Sequence, residues 1–275
     1  MTEPKELYLA PATELDIVKT FECGQCFRWN ADESGVYSGI AYGWPARVYE
    51  RDGGVYILSC APEGLWREYF DLNSDYDELS RGFEEIPYLN ECMQFGRGIR
   101  ILRQEPFEAL CSFIISQCNN ITRIKGIVER LCSEFGESVE FLGDTFYKFP
   151  SAERLAPLLE ADLACLRSGY RAPYIINAAR EVQSGELDLE ALKQTDCVTA
   201  KNRLKQLQGI GDKVANCVVL FGLYHMEAFP IDVWIRRALR EHFPPDFNPD
   251  TLGPYAGLAQ QYIFYYARSG DGKTA

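Results

Sequence analysis

The hydrophobic period of this chain changes once, near Phe95, and that change decides what it can fold into. From Phe27 to about Cys60 apolar and polar residues alternate in short runs: Phe27-Arg28-Trp29, Val36 to Ile40, Arg47 to Glu50 and Val55 to Leu58. A period of two puts successive side chains on opposite faces of a strand. The last two runs are joined by Arg51-Asp52-Gly53-Gly54, and Asp-Gly favours a tight hairpin turn. An antiparallel meander is expected. After Phe95 the period is helical, with Pro106 in a first-turn position and Phe107, Leu110, Phe113 and Ile114 on one stripe. Further stripes follow at Ile121, Ile124, Val128 and Leu131, and at Tyr174, Ile175 and Ala178. The expected fold class is α+β: a small antiparallel sheet domain over residues 1–95 packed on an all-helical domain over 96–275. No internal repeat interrupts it, and only Ser269 to Ala275 reads as a disordered tail.

At 275 residues and 47% hydrophobic, the chain has apolar material for one large domain or two moderate ones. It contains no run of about 18 apolar residues to span a bilayer, and Met1 to Ala10 lacks the apolar stretch of a signal peptide, so a cytoplasmic protein without a membrane is expected. The ten cysteines are scattered, which without an export signal suggests reduced, mostly buried thiols. Cys23 and Cys26 have metal-like spacing, but no second pair or histidine cluster completes four ligands, so no metal and no cofactor is expected. No cysteine follows Cys217, so a C-terminal cluster-binding loop is not expected either.

The net charge of −12 argues against a polyanionic partner only as a single number. Residues 1–95 hold 18 Asp/Glu against 7 Lys/Arg, a balance of −11, which leaves the remaining 180 residues at −1. Within residues 199–240, Lys201, Arg203, Lys205, Lys213, Arg236, Arg237 and Arg240 face Asp212, Glu227 and Asp232, a local balance of +4. That stretch is either a nucleic-acid surface or an ordinary solvated helix face.

The most informative segment runs from Leu204 to Leu220. An apolar-patterned helix stops at Gly209-Ile210-Gly211 and another begins at about Asp212. Two glycines around one apolar residue let the backbone turn with positive φ and bring bare N–H groups to an anion at the positive end of the next helix. Such a hairpin holds a phosphate without reading sequence, and a plain structural turn would look the same. Nineteen residues after Lys213 stands Phe229-Pro230-Ile231-Asp232-Val233, where Pro230 stiffens the approach and Asp232 is placed to cap the helix from Val233.

Leu-x-Gly-Ile-Gly-x-Lys-Val-Ala closely resembles the helix-hairpin-helix signature of DNA glycosylases, and Pro-x-Asp resembles the loop that accompanies it. Members with a lysine at this place cut the strand as well as removing the base. The resemblance therefore implies that Lys213 attacks the sugar C1′ and forms a Schiff base, with Asp232 stabilising the developing oxocarbenium ion and helping to move protons. A surface lysine and a simple helix cap are the plain alternatives.

Four segments resemble the 8-oxoguanine branch in particular. A target base in duplex DNA must be flipped out to be reached, and it then needs flat apolar walls and polar groups on its edge. Cys23-Gly24-Gln25-Cys26-Phe27-Arg28-Trp29 resembles that branch's Gly-Gln-x-Phe-Arg-Trp, which implies that the Gly24 carbonyl accepts the N7 hydrogen peculiar to 8-oxoguanine. Gly253 to Phe264 resembles its C-terminal helix and gives Gln260 to the base edge and Phe264 to one face. Cys217, one turn after Lys213, resembles the opposite wall. Without the family, Phe27, Trp29, Phe264 and Cys217 would all read as core residues. In Phe113 to Arg123 the resemblance assigns Asn119 and Asn120 to a minor-groove wedge, and Arg123, with Tyr170 and Arg171, to the orphaned cytosine and the gap. Two departures stand out. Cys118 replaces a third asparagine, so discrimination for cytosine opposite the lesion is expected to be loose. Trp234 replaces a histidine, so a phosphate contact is lost or passes to the indole N–H.

The resemblance runs from about Phe21 to Phe264. It implies a monomer acting on double-stranded DNA with oxidised guanine, associated with the nucleoid if the cell is bacterial. Its rivals are a monofunctional glycosylase for alkylated bases, against which Lys213 argues, a non-catalytic DNA-binding module, against which Lys213 with Asp232 argues, and a plain helical scaffold.

Overall fold

A computed structural model describes residues 3–270. The chain opens with β1 (Lys5–Pro11) and α1 (Ile17–Glu22), then runs through β2 (Trp29–Ala31), β3 (Tyr37–Ala41), β4 (Trp44–Arg51) and β5 (Gly54–Ser59). These make one antiparallel sheet in the order β1-β5-β4-β3-β2. From β2 to β5 it is the expected meander, and Asp52 (φ 52°) and Gly53 (φ 75°) make the tight turn that brings Arg51 opposite Gly54.

Strand β1 was not among the expected strands. It pairs with β5 at the sheet edge through a bulge between Tyr8 and Ala10, and its outward residues are exposed, so only Leu9 and Ala10 are buried. Alternation that short does not stand out in sequence.

Helix α2 (Glu63–Tyr69) closes the sheet layer with Trp66 and Tyr69, and α3 (Tyr76–Leu79) follows with Tyr76 and Leu79 packed on the helical core. The helical part contains α4 (Pro87–Phe95), α5 (Pro106–Ile115), α6 (Ile121–Phe135), α7 (Ala152–Leu155), α8 (Ala172–Gln183), α9 (Leu189–Leu192) and α10 (Cys197–Leu204). It ends with α11 (Asp212–Phe221), α12 (Val233–His242) and α13 (Ala256–Arg268). The expectation of an all-helical second part is corrected by a hairpin, β6 (Ser138–Phe141) and β7 (Asp144–Tyr147), turning on Leu142 (φ 52°) and Gly143 (φ 86°). It lies against the sheet, where Arg47 pairs with Asp144 at 2.8 Å and Arg28 donates to the Tyr147 carbonyl.

Local chemistry explains where the helices start. Pro106 occupies the first turn of α5, where its missing N–H costs nothing. Asn120 caps α6 by accepting from Arg123 N, and Asp232 caps α12 by accepting from Trp234 N and Ile235 N. Of the tail expected to be disordered, residues 271–275 lie outside the described residues, whereas Ser269 closes α13 with its hydroxyl on the Tyr266 carbonyl.

Two apolar clusters form the core. One lies behind the sheet around Phe21, Trp29, Trp66 and Phe70; the other fills the helical part and reaches from Phe27 and Leu89 to Tyr262 and Ile263. Trp29 thus belongs to the sheet core, stacked on Phe21 at 4.6 Å between centroids, with its indole N–H on Tyr69. Buried Gln25 ties the turn between α1 and β2 to the strip that joins the two parts. Its Nε2 donates to Thr20 O and Arg100 O, its Oε1 accepts from Leu102 N, and its carbonyl accepts from Gln104. The neighbouring Gly24 is thereby held against the helical part.

Candidate active site

Five segments distant in sequence wall one cavity of about 430 Å³. Gly24 and Phe27 come from the turn Gln25 anchors, Phe113, Ser116, Asn119 and Asn120 from the end of α5 and the loop after it, and Lys213 and Cys217 from α11. Asp232 and Trp234 come from the start of α12, and Gln260, Gln261 and Phe264 from α13. A larger cavity, about 740 Å³, is lined by Glu14, Asp75, Asp77, Arg81 and Arg97, and none of the expected site residues reaches it. The candidate chemistry belongs to the smaller one, which brings the Lys213 amine, the Asp232 carboxylate and the apolar walls of Phe113, Cys217 and Phe264 together.

Lys213 is the second residue of α11 and is half-buried. Its Nζ donates to Ser116 Oγ at 3.1 Å and lies 5.7 Å from the centroid of Phe113. The Ser116 hydroxyl gives its own proton to the Phe113 carbonyl at 2.8 Å, so a lone pair is what it offers the amine. Cys217 stands one turn further along α11; burial pushes its thiol up, and the adjacent Lys213 partly opposes that. Asp232 spends Oδ1 on the cap, at 3.0 Å from Trp234 N and 2.9 Å from Ile235 N. Among the described residues its Oδ2 has no partner. The cap and a free oxygen are compatible on one carboxylate, so the capping role does not exclude the second role read from sequence.

The residues expected to face the base converge as well. Gly24 is in the left-handed region (φ 76°), and a Cβ there would stand 3.2 Å from Phe264 Cε1 and 3.6 Å from Ile121 Cδ1, so a side chain would narrow the cavity. Gln260 is buried, and its Oε1 accepts from Gln261 Nε2 at 3.0 Å. Cys23 and Cys26 are both buried thiols whose sulfurs contact the Thr20 and Phe21 carbonyls.

The hairpin needs two corrections. The helix before it, α10, ends at Leu204 rather than at the glycines. Gly209 has the expected positive φ (82°), and a Cβ there would lie 2.4 Å from the Tyr174 ring. Gly211 does not: at φ −96° and ψ −177° it is extended backbone beginning α11, with nothing within 4 Å of an added Cβ. Open space and the lack of a side-chain cap leave its N–H and the first turn of α11 facing outward. The basic surface is thinner than the sequence suggested, since Arg203 pairs with Glu181, Lys205 with Asp212, and Arg237 and Arg240 with Glu241.

In the loop expected to form the wedge, Asn119 donates to the Ile115 carbonyl at 3.2 Å and accepts from Asn120 N at 3.1 Å, while Asn120 caps α6; both line the cavity. Arg123 and Tyr170 are exposed. Arg171, expected beside Arg123 at the orphaned base, is instead buried. Its guanidinium donates to the carbonyls of Gln117, Ser168 and Cys118 and lies 4.4 Å from the Tyr170 ring, so it buttresses the loop. Cys118 has φ 45°, a conformation asparagine tolerates better than cysteine. Ser116 and Gln261 were not singled out from sequence; nothing in the Ser-Gln-Cys-Asn-Asn run signals a lysine 97 residues away.

Among the described residues no helix is long and apolar enough to cross a membrane, and no group of three or more His, Cys, Asp or Glu could hold a metal.

Residues 7–110 match the family described as the 8-oxoguanine DNA glycosylase N-terminal domain, and residues 111–251 match the HhH-GPD superfamily of base excision DNA repair proteins. The N-glycosylase/DNA lyase of Saccharomyces cerevisiae is 37% identical over 272 residues, covering 87% of this chain and 71% of the relative. The N-glycosylase/DNA lyase of Arabidopsis thaliana is 31% identical over 281 residues, covering 92% and 77%. The Clostridium acetobutylicum 8-oxoguanine glycosylase/lyase, solved with double-stranded DNA containing cytosine opposite the lesion, superposes with a TM-score of 0.88 at 34% identity, covering 98% of this chain and 100% of that one.

Proposed function

The chain belongs to the HhH-GPD superfamily of base excision DNA repair proteins, in its 8-oxoguanine DNA glycosylase branch, and on that premise we propose that it excises 8-oxoguanine from duplex DNA and then nicks the strand. The observation that carries this reading is the Lys213 amine, held by Ser116 in the same cavity as Asp232 and the base-facing residues Gly24, Cys217, Gln260 and Phe264.

In this reading the hairpin N–H groups of Gly209 and Gly211 and the start of α11 hold a backbone phosphate, which registers the lesion strand on the site. The flipped base enters between Phe264 and Cys217 with its N7–H on the Gly24 carbonyl and its Watson–Crick edge on Gln260. The lone pair of neutral Lys213 Nζ attacks C1′ while the C1′–N9 bond breaks; the bonding pair leaves with the base, which takes up a proton. Asp232 Oδ2 stabilises the positive charge that develops on the sugar and relays protons to and from the amine. Loss of the Nζ proton and opening of the sugar give the Schiff base. Removal of the C2′ proton then expels the 3′ phosphate and cuts the strand. Asn119, Asn120, Arg123 and Tyr170 occupy the place of the flipped base and face the orphaned cytosine, with Arg171 supporting them from behind. The enzyme works as a monomer on cytoplasmic or nucleoid DNA, and the chain divides near residue 95 into the sheet platform and the catalytic part.

The test is a duplex with one 8-oxoguanine opposite cytosine, incubated with the protein and borohydride. A covalent protein–DNA adduct that Lys213→Gln abolishes, with DNA binding retained, is the expected result. Base release without an adduct would remove the lyase role, and no release from this lesion would overturn the substrate.

A further inference from the structure

Gln260 and Gln261 are consecutive, both buried at 3% exposure, and both line the cavity. A carboxamide has two unlike ends, an acceptor oxygen and a donor NH2, so its use as a reader depends on which end faces the ligand. Here Gln261 Nε2 donates to Gln260 Oε1 at 3.0 Å, which leaves the Gln260 NH2 as the end without a partner among the described residues. The reverse arrangement, with both carboxamides turned over, would join the same two side chains. It is disfavoured by what it would bury. In the observed arrangement the atom left unpaired is Gln261 Oε1, whereas turning the pair over would put the Gln261 NH2 there, and orphaned N–H donors are tolerated less well than an under-used carbonyl.

We propose that Gln261 is a positioning residue that fixes the direction of the Gln260 carboxamide, and thereby makes the site prefer a 6-oxopurine to a 6-aminopurine. The inference rests on the base-pocket reading given above. At position 6 a 6-oxopurine presents a carbonyl acceptor to which the Gln260 NH2 can donate, whereas a 6-aminopurine presents a donor there; at N1 the polarity is reversed, so the Gln260 NH2 is placed against position 6 and not against N1. This discrimination is separate from the one at Gly24. The Gly24 carbonyl asks whether N7 carries a hydrogen, and 8-oxoguanine and 8-oxoadenine both answer it the same way.

The pair of lesions therefore isolates the edge. Single-turnover release of 8-oxoguanine and of 8-oxoadenine, each opposite cytosine, is measured with the wild type, Gln261→Glu and Gln261→Met. The ratio of the two rates is independent of the folded fraction, so a partly unfolded variant still reports. Glutamate at 261 can accept but not donate as an ionised group, and it turns the Gln260 oxygen toward the base; the ratio is expected to fall about 10- to 100-fold. Methionine frees the Gln260 carboxamide to rotate, and the ratio is expected to fall by a smaller but clear factor. A Gln261→Glu ratio within about threefold of wild type overturns the proposal. So does a fall with glutamate alone, which would assign the effect to charge, and so does a wild-type ratio near one. Failure of the wild type to release 8-oxoguanine at all would instead overturn the function proposed above.

Discussion

Lys213 Nζ and Ser116 Oγ, 97 residues apart in sequence, stand 3.1 Å from each other because α5 ends against the first turn of α11. The serine hydroxyl donates to its own helix, at Phe113 O, and so can only accept from the amine. A neutral amine held in that way has one N–H committed to the serine and stands in the cavity wall, which limits the orientations from which its lone pair can meet C1′. Ser116→Ala is expected to lower the single-turnover rate of base release about tenfold, with little change in DNA affinity. Ser116→Thr, which keeps the acceptor, should recover most of the loss. Equal losses in both variants would assign the residue to packing.

Asp232 caps α12 with one oxygen and, in the proposed reaction, stabilises charge with the other, and the two roles can be separated. Asparagine caps helices as well as aspartate does, so Asp232→Asn keeps the Trp234 and Ile235 contacts while removing the charge. Its thermal midpoint should stay within a few degrees of wild type, and base release should slow by about 10²- to 10³-fold. Asp232→Ala should lose the same catalysis and, in addition, about 1 kcal/mol of stability. A variant that melts early but still cleaves would show that the cap is the whole role.

The two hairpin glycines should respond differently. Gly209→Ala places a Cβ 2.4 Å from the Tyr174 ring on backbone at φ 82°, so the ring or the turn must move, and a loss of about 1–3 kcal/mol is expected in urea unfolding. Gly211→Ala meets nothing and sits on ordinary backbone, so its stability should change by less than about 1 kcal/mol. If this N–H approaches a phosphate, the methyl group stands in the way, and Gly211→Ala should weaken DNA binding instead. Affinity measured at two salt concentrations would show it.

The contrast between those glycines marks how far the sequence could be read. The meander was legible because Asp52-Gly53 and the alternation around it agree, and helix starts were legible at Pro106 and Asp232 because first-turn and capping preferences are local chemistry. The hairpin β6–β7 was not, since Leu142 in a left-handed position gives no turn signal. Lys213, Asp232, Gln260 and Phe264 could be named in advance, yet the contacts that orient them could not. Ser116 meets Lys213, and Gln261 meets Gln260, through the packing of α5 on α11 and the facing of α13. For the same reason the partners of Arg171 were not legible: no local pattern announces that the carbonyls of Gln117 and Cys118, distant in sequence, will share its guanidinium with Ser168.

Glu108 ties stability to pH. It pairs with the buried Arg28 guanidinium at 3.6 Å, yet burial outweighs that ion pair and pushes its carboxyl up from 4.5 to about 7. A carboxyl with a raised value binds its proton more tightly in the folded protein than in the unfolded chain. Its contribution is therefore greatest below about pH 4.5 and is lost as pH rises through about 7. Between pH 5 and pH 8 the wild type should lose on the order of 1–3 kcal/mol on this account. Glu108→Gln cannot titrate, so its unfolding free energy should fall less over the same interval, whatever its absolute value after the change beside Arg28. Urea unfolding of both proteins at the two pH values measures the difference of slopes, and equal slopes would show that Glu108 is ionised throughout.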